Sequence, residues 1–128
     1  MKPLRVVIAD DFAAIRELIR RELSNVPGLT TVGEATDGAQ AFWLYHQMYP
    51  DVMILDLTMP KASGLEVLQK IREHDKSTVI IIFTADPSLV LREACLHAGA
   101  NFYFDKSDLK SLVEACRSLQ TEQQVSCG

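Results

Sequence analysis

The sequence predicts a doubly wound α/β sandwich, a parallel sheet with helices on both faces, and three observations carry that reading. Short, uniformly apolar, β-branched runs recur along the chain: VVIA at 6 to 9, VMIL at 52 to 55 and VIIIF at 79 to 83. Such runs suit strands buried on both faces. Longer segments of helical period alternate with them, and the connections are short enough for right-handed crossovers. At 128 residues and 48% hydrophobic content, one domain of this size buries roughly two-thirds of its unfolded surface.

The elements follow in order. After the first strand, Ala14, Ile15, Leu18, Ile19 and Leu23 form one apolar stripe of a helix over 12 to 24, with Gly28 at the exit. TTVGEA at 30 to 35 is more polar and suits an edge strand. Ala41, Phe42, Tyr45, Met48 and Tyr49 predict a second helix over 38 to 49 that stops at Pro50, while Trp43 falls on a flank beside Gln40 and Gln47, partly exposed. Beyond VMIL, Leu65, Leu68, Val67 and Ile71 mark a third helix over 64 to 74. After VIIIF, Asp86-Pro87 reads as a cap and first turn for a helix over 87 to 97 closed by Gly99. NFYF at 101 to 104 is a short fifth strand. Asp108 caps the last helix, whose stripe is Leu109, Leu112, Val113 and Cys116. The reading gives one domain over 1–120 and a frayed tail, TEQQVSCG, over 121–128, with no linker, repeat or second domain.

Composition narrows the function. Lys+Arg 13 against Asp+Glu 17 gives a net charge of -4, which argues against direct nucleic-acid binding and against an anionic membrane surface. The longest apolar run, VIIIF, is far too short to insert in a bilayer, and the N-terminus has no signal-peptide pattern. Cys95, Cys116 and Cys127 are odd in number and widely spaced, as expected of reduced thiols in a cytoplasmic protein.

The chemistry is expected at the carboxyl ends of the strands, where such sheets form their crevice. Strand one ends in Asp10-Asp11, strand three in Asp56, strand four in Thr84, and strand five runs through Tyr103 to Lys106. Each residue alone has a plain explanation: an aspartate after a strand is commonly a cap, Lys106 a solvated lysine, Tyr103 a core aromatic. Unrelated caps have no reason to occupy all these ends together. Clustered carboxylates repel, and in a partly desolvated crevice a divalent cation with oxygen ligands relieves the repulsion, aided by Lys106. Mg²⁺ fits, because it accepts a few carboxylates and keeps several waters.

From about Leu4 to Leu119 the chain resembles the receiver domains of bacterial two-component response regulators, in single-domain, chemotaxis-regulator-like form. The resemblance rests on Asp10-Asp11, on Asp56 within DLTMP with Gly64 following, on Thr84-Ala85, and on Lys106 preceded by AGANFYFD. It implies a flavodoxin-like, five-stranded parallel sheet of order 2-1-3-4-5 with five helices. It also implies a phosphorylation-activated switch and the role of each residue. Asp56 would accept the phosphoryl group from a histidine kinase or histidine phosphotransfer protein. Asp11, Asp56 and the Thr58 carbonyl would bind Mg²⁺, for which Mn²⁺ can substitute, with Asp10 acting through water. Lys106 and Thr84 would contact phosphoryl oxygens, and Tyr103 would be the switch aromatic. A downstream protein or a second copy would dock on the helix 4/strand 5/helix 5 face. The activity implied is metal-dependent self-phosphorylation and slow autodephosphorylation, not turnover of a substrate.

Two positions depart from the family pattern. Ser107 replaces the usual proline after the lysine; a cis bond there would cost roughly 2.5 to 4 kcal/mol, so the strain is kept or the loop is trans. Phe102 adds bulk where glycine is common. Thr58 and Asp86 occupy variable positions that tune phosphoryl lifetime. The rivals fit less well. An aspartate-nucleophile phosphatase would space its two acids by two residues, and a flavodoxin-like nucleotide binder would not place ADDFA against a phosphate. A phosphorylation-independent interaction module would have no need of the full acidic set.

Overall fold

The computed structural model describes the backbone of residues 2–127 and the side chains of residues 2–120. The elements run β1 (Leu4–Ala9), α1 (Ala13–Leu23), β2 (Leu29–Ala35), α2 (Gly38–Met48), β3 (Val52–Leu55), α3 (Gly64–Arg72), β4 (Val79–Thr84), α4 (Leu89–Ala98), β5 (Phe102–Asp105) and α5 (Leu109–Cys127). The strands form one sheet of order β2-β1-β3-β4-β5. All neighbouring pairs are parallel, and the polar strand, β2, lies at an edge as the sequence predicts.

Each face of the sheet has its own core. Val7, Ala9, Met53, Leu55, Ile80 and Ile82 pack with α2, α3 and Cys95 of α4. Their alternates Val6, Ile8, Val52, Ile54, Ile81 and Phe83 pack with Ile19 and Leu23 of α1 and with Leu112 and Cys116 of α5. Successive residues point to opposite faces, so a strand covered on both sides has to be apolar throughout.

Several helix details differ from the sequence reading. Of the α1 stripe, the row Ile15, Ile19, Leu23 meets the sheet, while Ala14 and Leu18, one residue earlier around the helix, are exposed. On α2 the helix ends at Met48, and Tyr49 takes a left-handed φ of 47°. That turn swings its side chain out of the stripe to 81% exposure, and Leu44 packs against the core instead. Trp43 is 59% exposed, as expected from its flank position. The cap of α4 is Ser88, whose hydroxyl accepts from the Leu91 N–H. Asp86 lies one step back, its carboxylate accepting from the Ser88 N–H, so the helix starts two residues later than Asp86-Pro87 suggested. Strand β5 is shifted one residue on, to Asp105. Gly99 closes α4 with a φ of 112°, and Asp108 accepts from the Ser111 N–H; both are as predicted. Helix α5 continues into the segment read as a tail. Side chains 121–128, and with them Cys127, lie outside the described residues.

Candidate functional site at the carboxyl ends of the strands

Register brings the acids together. Ala9 and Leu55 are opposite one another in the β1–β3 ladder, so the next residues, Asp10 and Asp56, leave the sheet side by side. The Asp10 N–H donates to the Ala35 carbonyl at 3.0 Å and the Asp56 N–H to the Ala9 carbonyl at 3.0 Å. These bonds extend the ladder by one residue and fix both Cα atoms. Asp10 and Asp56 are 2% and 3% exposed, whereas Asp11 is open to solvent. One carboxylate oxygen from each of the three lies within 4.8 Å of the others.

Lys106 arrives from the far side of β4. Its backbone N–H donates to the Thr84 carbonyl at 2.9 Å, and its Nζ reaches Asp10 Oδ2 at 2.8 Å and Asp56 Oδ2 at 3.0 Å. Burial alone would lower the ammonium pKa, but its hydrogen bonds to Asp10 and Asp56 and their charge outweigh it, and the net shift is upward. For Asp10, burial pushes the carboxyl above its ordinary value and the Asp56 charge adds to the rise. Hydrogen bonds from Lys106 and from the Phe12 N–H pull the other way. One ammonium thus serves two buried carboxylates, with a third beside them, and the cluster keeps an appetite for positive charge. An all-oxygen set of clustered acids matches a hard divalent cation such as Mg²⁺.

The remaining predicted residues surround this centre. The Thr58 N–H turns back to Asp56 Oδ1 at 3.3 Å. Thr84 ends β4 at 1% exposure, and its hydroxyl accepts from the Asp86 N–H at 3.3 Å. Tyr103, half-buried on β5, donates its phenol hydrogen to the Asp86 carbonyl at 3.3 Å. No described peptide is cis, so the Lys106–Ser107 bond is trans. The Ser107 N–H instead bonds the Asp105 carboxylate at 2.8 Å, which holds the loop after the lysine.

Three further residues shape the site. The ring of Phe12 lies 5.5 Å from the Lys106 ammonium, and Arg16 donates from Nη1 to the Asp10 carbonyl at 2.7 Å while its Nε pairs with Glu34. Gly64 lets α3 start against the end of β3: a Cβ there would sit 2.2 Å from the Asp56 carbonyl oxygen. Of these, only Gly64 carried a signal in the sequence, by its spacing from Asp56. Phe12 and Arg16 read as ordinary helix residues, because nothing local marks a ring or guanidinium that turns toward a strand end.

A cavity of about 820 Å³ opens at the opposite end of the sheet, lined among others by Tyr45, Asp51, His74, Asp75 and Thr78. Both of its acids have donors, Asp51 accepting from the Arg5 N–H at 2.9 Å. Asp75 accepts from the Tyr45 and Thr78 hydroxyls and from Ser77 N–H and Oγ. The acids of the crevice at the carboxyl ends, by contrast, share one ammonium.

Comparison with known proteins points the same way. The family model described as the response regulator receiver domain matches residues 6–117. The nitrate/nitrite response regulator protein NarL of Escherichia coli is 34% identical over 105 residues, which is 82% of this chain and 49% of that protein. Response regulator MprA of a Mycobacterium species is 38% identical over 118 residues, 91% of this chain and 50% of that one. The chain spans about half the length of these curated relatives. Among solved structures, a two-component response regulator of the LuxR family from Aurantimonas superposes with a TM-score of 0.86 at 34% identity, covering 94% of this chain and 87% of that one.

Proposed function

The chain belongs to the response regulator receiver domain family, and from that premise we propose that it is a phosphorylation-activated switch whose acceptor is Asp56. The observation that carries the reading is the shared ammonium of Lys106, held by Asp10 and Asp56 at the end of a rigid buried sheet. The donor is a histidine kinase or histidine phosphotransfer protein. In the transfer, an Asp56 carboxylate oxygen forms a bond to phosphorus as the bond from phosphorus to the donor imidazole nitrogen breaks, and the imidazole leaves with that electron pair.

The residues divide the work. Asp56 is fixed by strand β3, so its oxygen can be held in line with the leaving group. Lys106 exchanges its bond to Asp56 Oδ2 for a phosphoryl oxygen and neutralises charge there. Thr84 supplies a hydroxyl to a second oxygen. Asp11, Asp56 and the Thr58 carbonyl would hold Mg²⁺, and Asp10 would support it through water. When bound, the cation offsets negative charge on the phosphoryl oxygens. Small phosphodonors serve as well as protein donors, and hydrolysis of the acyl phosphate is slow.

The new group adds charge and strong acceptor oxygens, draws Thr84 inward and frees Tyr103 to turn. The α4/β5/α5 surface then changes for a downstream protein or a second copy. The acidic net charge fits a cytoplasmic protein that contacts no nucleic acid directly, and among the described residues no helix is long and apolar enough to cross a membrane.

Beryllofluoride uptake tests the reading. Fluorine NMR is expected to show a bound signal only with Mg²⁺ or Mn²⁺ present, and partner affinity or dimerisation is expected to rise with it. Tyr103→Ala should keep the bound signal and lose that rise. An undiminished rise in the variant removes Tyr103 from the switch, and a bound signal without metal removes the proposed cation site.

A further inference from the structure

Asp11 is the exposed acid of the crevice, and among the described residues no side chain or backbone donor holds its carboxylate. Its place beside Asp10 and Asp56 therefore depends on the backbone to either side of it. On one side the Phe12 N–H donates to Asp10 Oδ1 at 2.9 Å. On the other the Asp10 carbonyl accepts from Arg16 Nη1 at 2.7 Å. A peptide group is planar, so a fixed Asp10 carbonyl fixes the plane from which the Asp11 Cα departs. Arg16 is itself well anchored: it lies on the first turn of α1 with its N–H bonded to the Phe12 carbonyl, and its side chain is 15% exposed. Its Nε donates to Glu34 Oε1 on β2 at 3.2 Å, and the other oxygen of Glu34 pairs with Arg20. One planar guanidinium thus spans two acceptors, the carbonyl that follows β1 and a carboxylate of the edge strand, as its fork of donors allows.

We propose that Arg16 is a positioning residue for the divalent cation: by holding the Asp10 carbonyl it aims the Asp11 carboxylate into the crevice, while Glu34 offsets its charge. The inference rests on the cation reading above and adds to it the group that orders the exposed ligand. Placement and charge pull in opposite directions here. A guanidinium so close to three carboxylates would by its own field oppose a second cation, and the Glu34 carboxylate at its Nε reduces that field. What remains is its effect on geometry. Groups that orient metal ligands from behind, without touching the ion, set a large part of the affinity, and Asp11 has no other support than the two peptide groups that flank it. The edge strand β2 thereby takes part in the site although none of its residues faces the crevice acids directly: it supplies the counter-charge that lets a cation serve as a scaffold for binding another.

The test compares Arg16→Met, which keeps the aliphatic stem without donors or charge, with Arg16→Lys, which keeps the charge and serves one acceptor at a time. Calorimetric titration with Mg²⁺, with circular dichroism confirming that each variant is folded, should show affinity reduced about tenfold in Arg16→Met and about two- to fivefold in Arg16→Lys. The sign separates placement from charge, because taking a cation away from three carboxylates would by charge alone tighten Mg²⁺ binding. In metal-free protein, nitrogen-15 relaxation should show the Asp11 amide less ordered in Arg16→Met, with the amides of Asp75 and Thr78 at the far end of the sheet unchanged. Wild-type or tighter Mg²⁺ binding by folded Arg16→Met overturns the role, and so does weaker binding with an Asp11 amide as ordered as in the wild type. If Arg16→Met does not fold, Arg16→Lys carries the same two measurements, and wild-type affinity in it overturns the role. A wild type that binds no Mg²⁺ removes the cation reading itself and this role with it, whereas a binding wild type beside an unaffected variant removes the role of Arg16 alone.

Discussion

The two ends of the sheet carry carboxylates in opposite states of satisfaction, Asp75 partly buried at one and Asp10 and Asp56 buried at the other. At the amino end, Asp75 gathers the Tyr45 and Thr78 hydroxyls, the Ser77 hydroxyl and two backbone N–H groups. Burial disfavours its charge, yet those donors win and hold its carboxyl well below the usual range, while the partner phenol of Tyr45 is pushed up to about 12. At the carboxyl end, Asp10 goes the other way: burial and the Asp56 charge win, and its carboxyl is raised. The same side chain thus secures the fold at one end and leaves it short of positive charge at the other. An acid that has its donors is structural; a group of buried acids short of them is a place for a ligand.

The largest effect expected from breaking this contrast is at the structural end. Asp75→Ala leaves the hydroxyls of Tyr45 and Thr78 without their acceptor and should cost about 2–4 kcal/mol, read by urea denaturation at neutral pH. The sign with pH is set by the depressed carboxyl: its contribution is present above the unfolded value near 3.8 and is lost as pH falls through the folded one. The variant should therefore show a flatter acid limb than the wild type.

At the other end the loss should fall on binding. Calorimetry is expected to show Mg²⁺ affinity reduced more than about 100-fold by Asp11→Ala and about tenfold by Asp10→Ala, with little change in stability from the exposed Asp11. Equal losses would contradict the direct and water-mediated roles assigned to the two acids. Gly64→Ala lies between these cases. Its Cβ has to displace the Asp56 carbonyl or the start of α3, a cost of about 1–3 kcal/mol, and phosphorylation should slow along with it.

The smallest effect has the opposite sign. Because the Asp10 carboxyl is raised, its contribution to stability is present below the unfolded value and lost as pH rises through the folded one. At neutral pH the charged form is a burden, so Asp10→Asn should raise the Tm of the metal-free protein by about 2–5 °C. The gain should shrink as pH is lowered. A lower Tm would mean that the ion pair with Lys106 outweighs the burial of the charge.

Much of this contrast was legible in the chain. The runs VVIA, VMIL and VIIIF announce strands covered on both faces, and their last residues announce the acidic end, because a strand's carboxyl terminus and the crevice coincide in this architecture. Asp10, Asp56, Thr84 and Lys106 could be placed together from order alone. The amino end could not be read in the same way: Tyr45 and Asp75 are 30 residues apart with no motif joining them, and Asp75 looks like any polar residue after a helix. Helix faces are legible only to about one residue in rotation, which is why Ala14 and Leu18 read as inward. The left-handed turn at Tyr49 has no signature in its residue type, since tyrosine rarely adopts it. The links from Phe12 and Arg16 to the site depend on side-chain reach across elements, which periodicity does not encode.

The central claim is that the under-satisfied end of the sheet is where phosphorus is received, at Asp56. Intact-mass spectrometry after incubation with acetyl phosphate and Mg²⁺ tests it most directly, with wild type and Asp56→Asn compared under identical conditions and circular dichroism confirming that both are folded. The account predicts a single phosphoryl adduct on the wild type, absent without the metal and absent from the variant. A phosphoryl adduct of equal abundance on folded Asp56→Asn would contradict it.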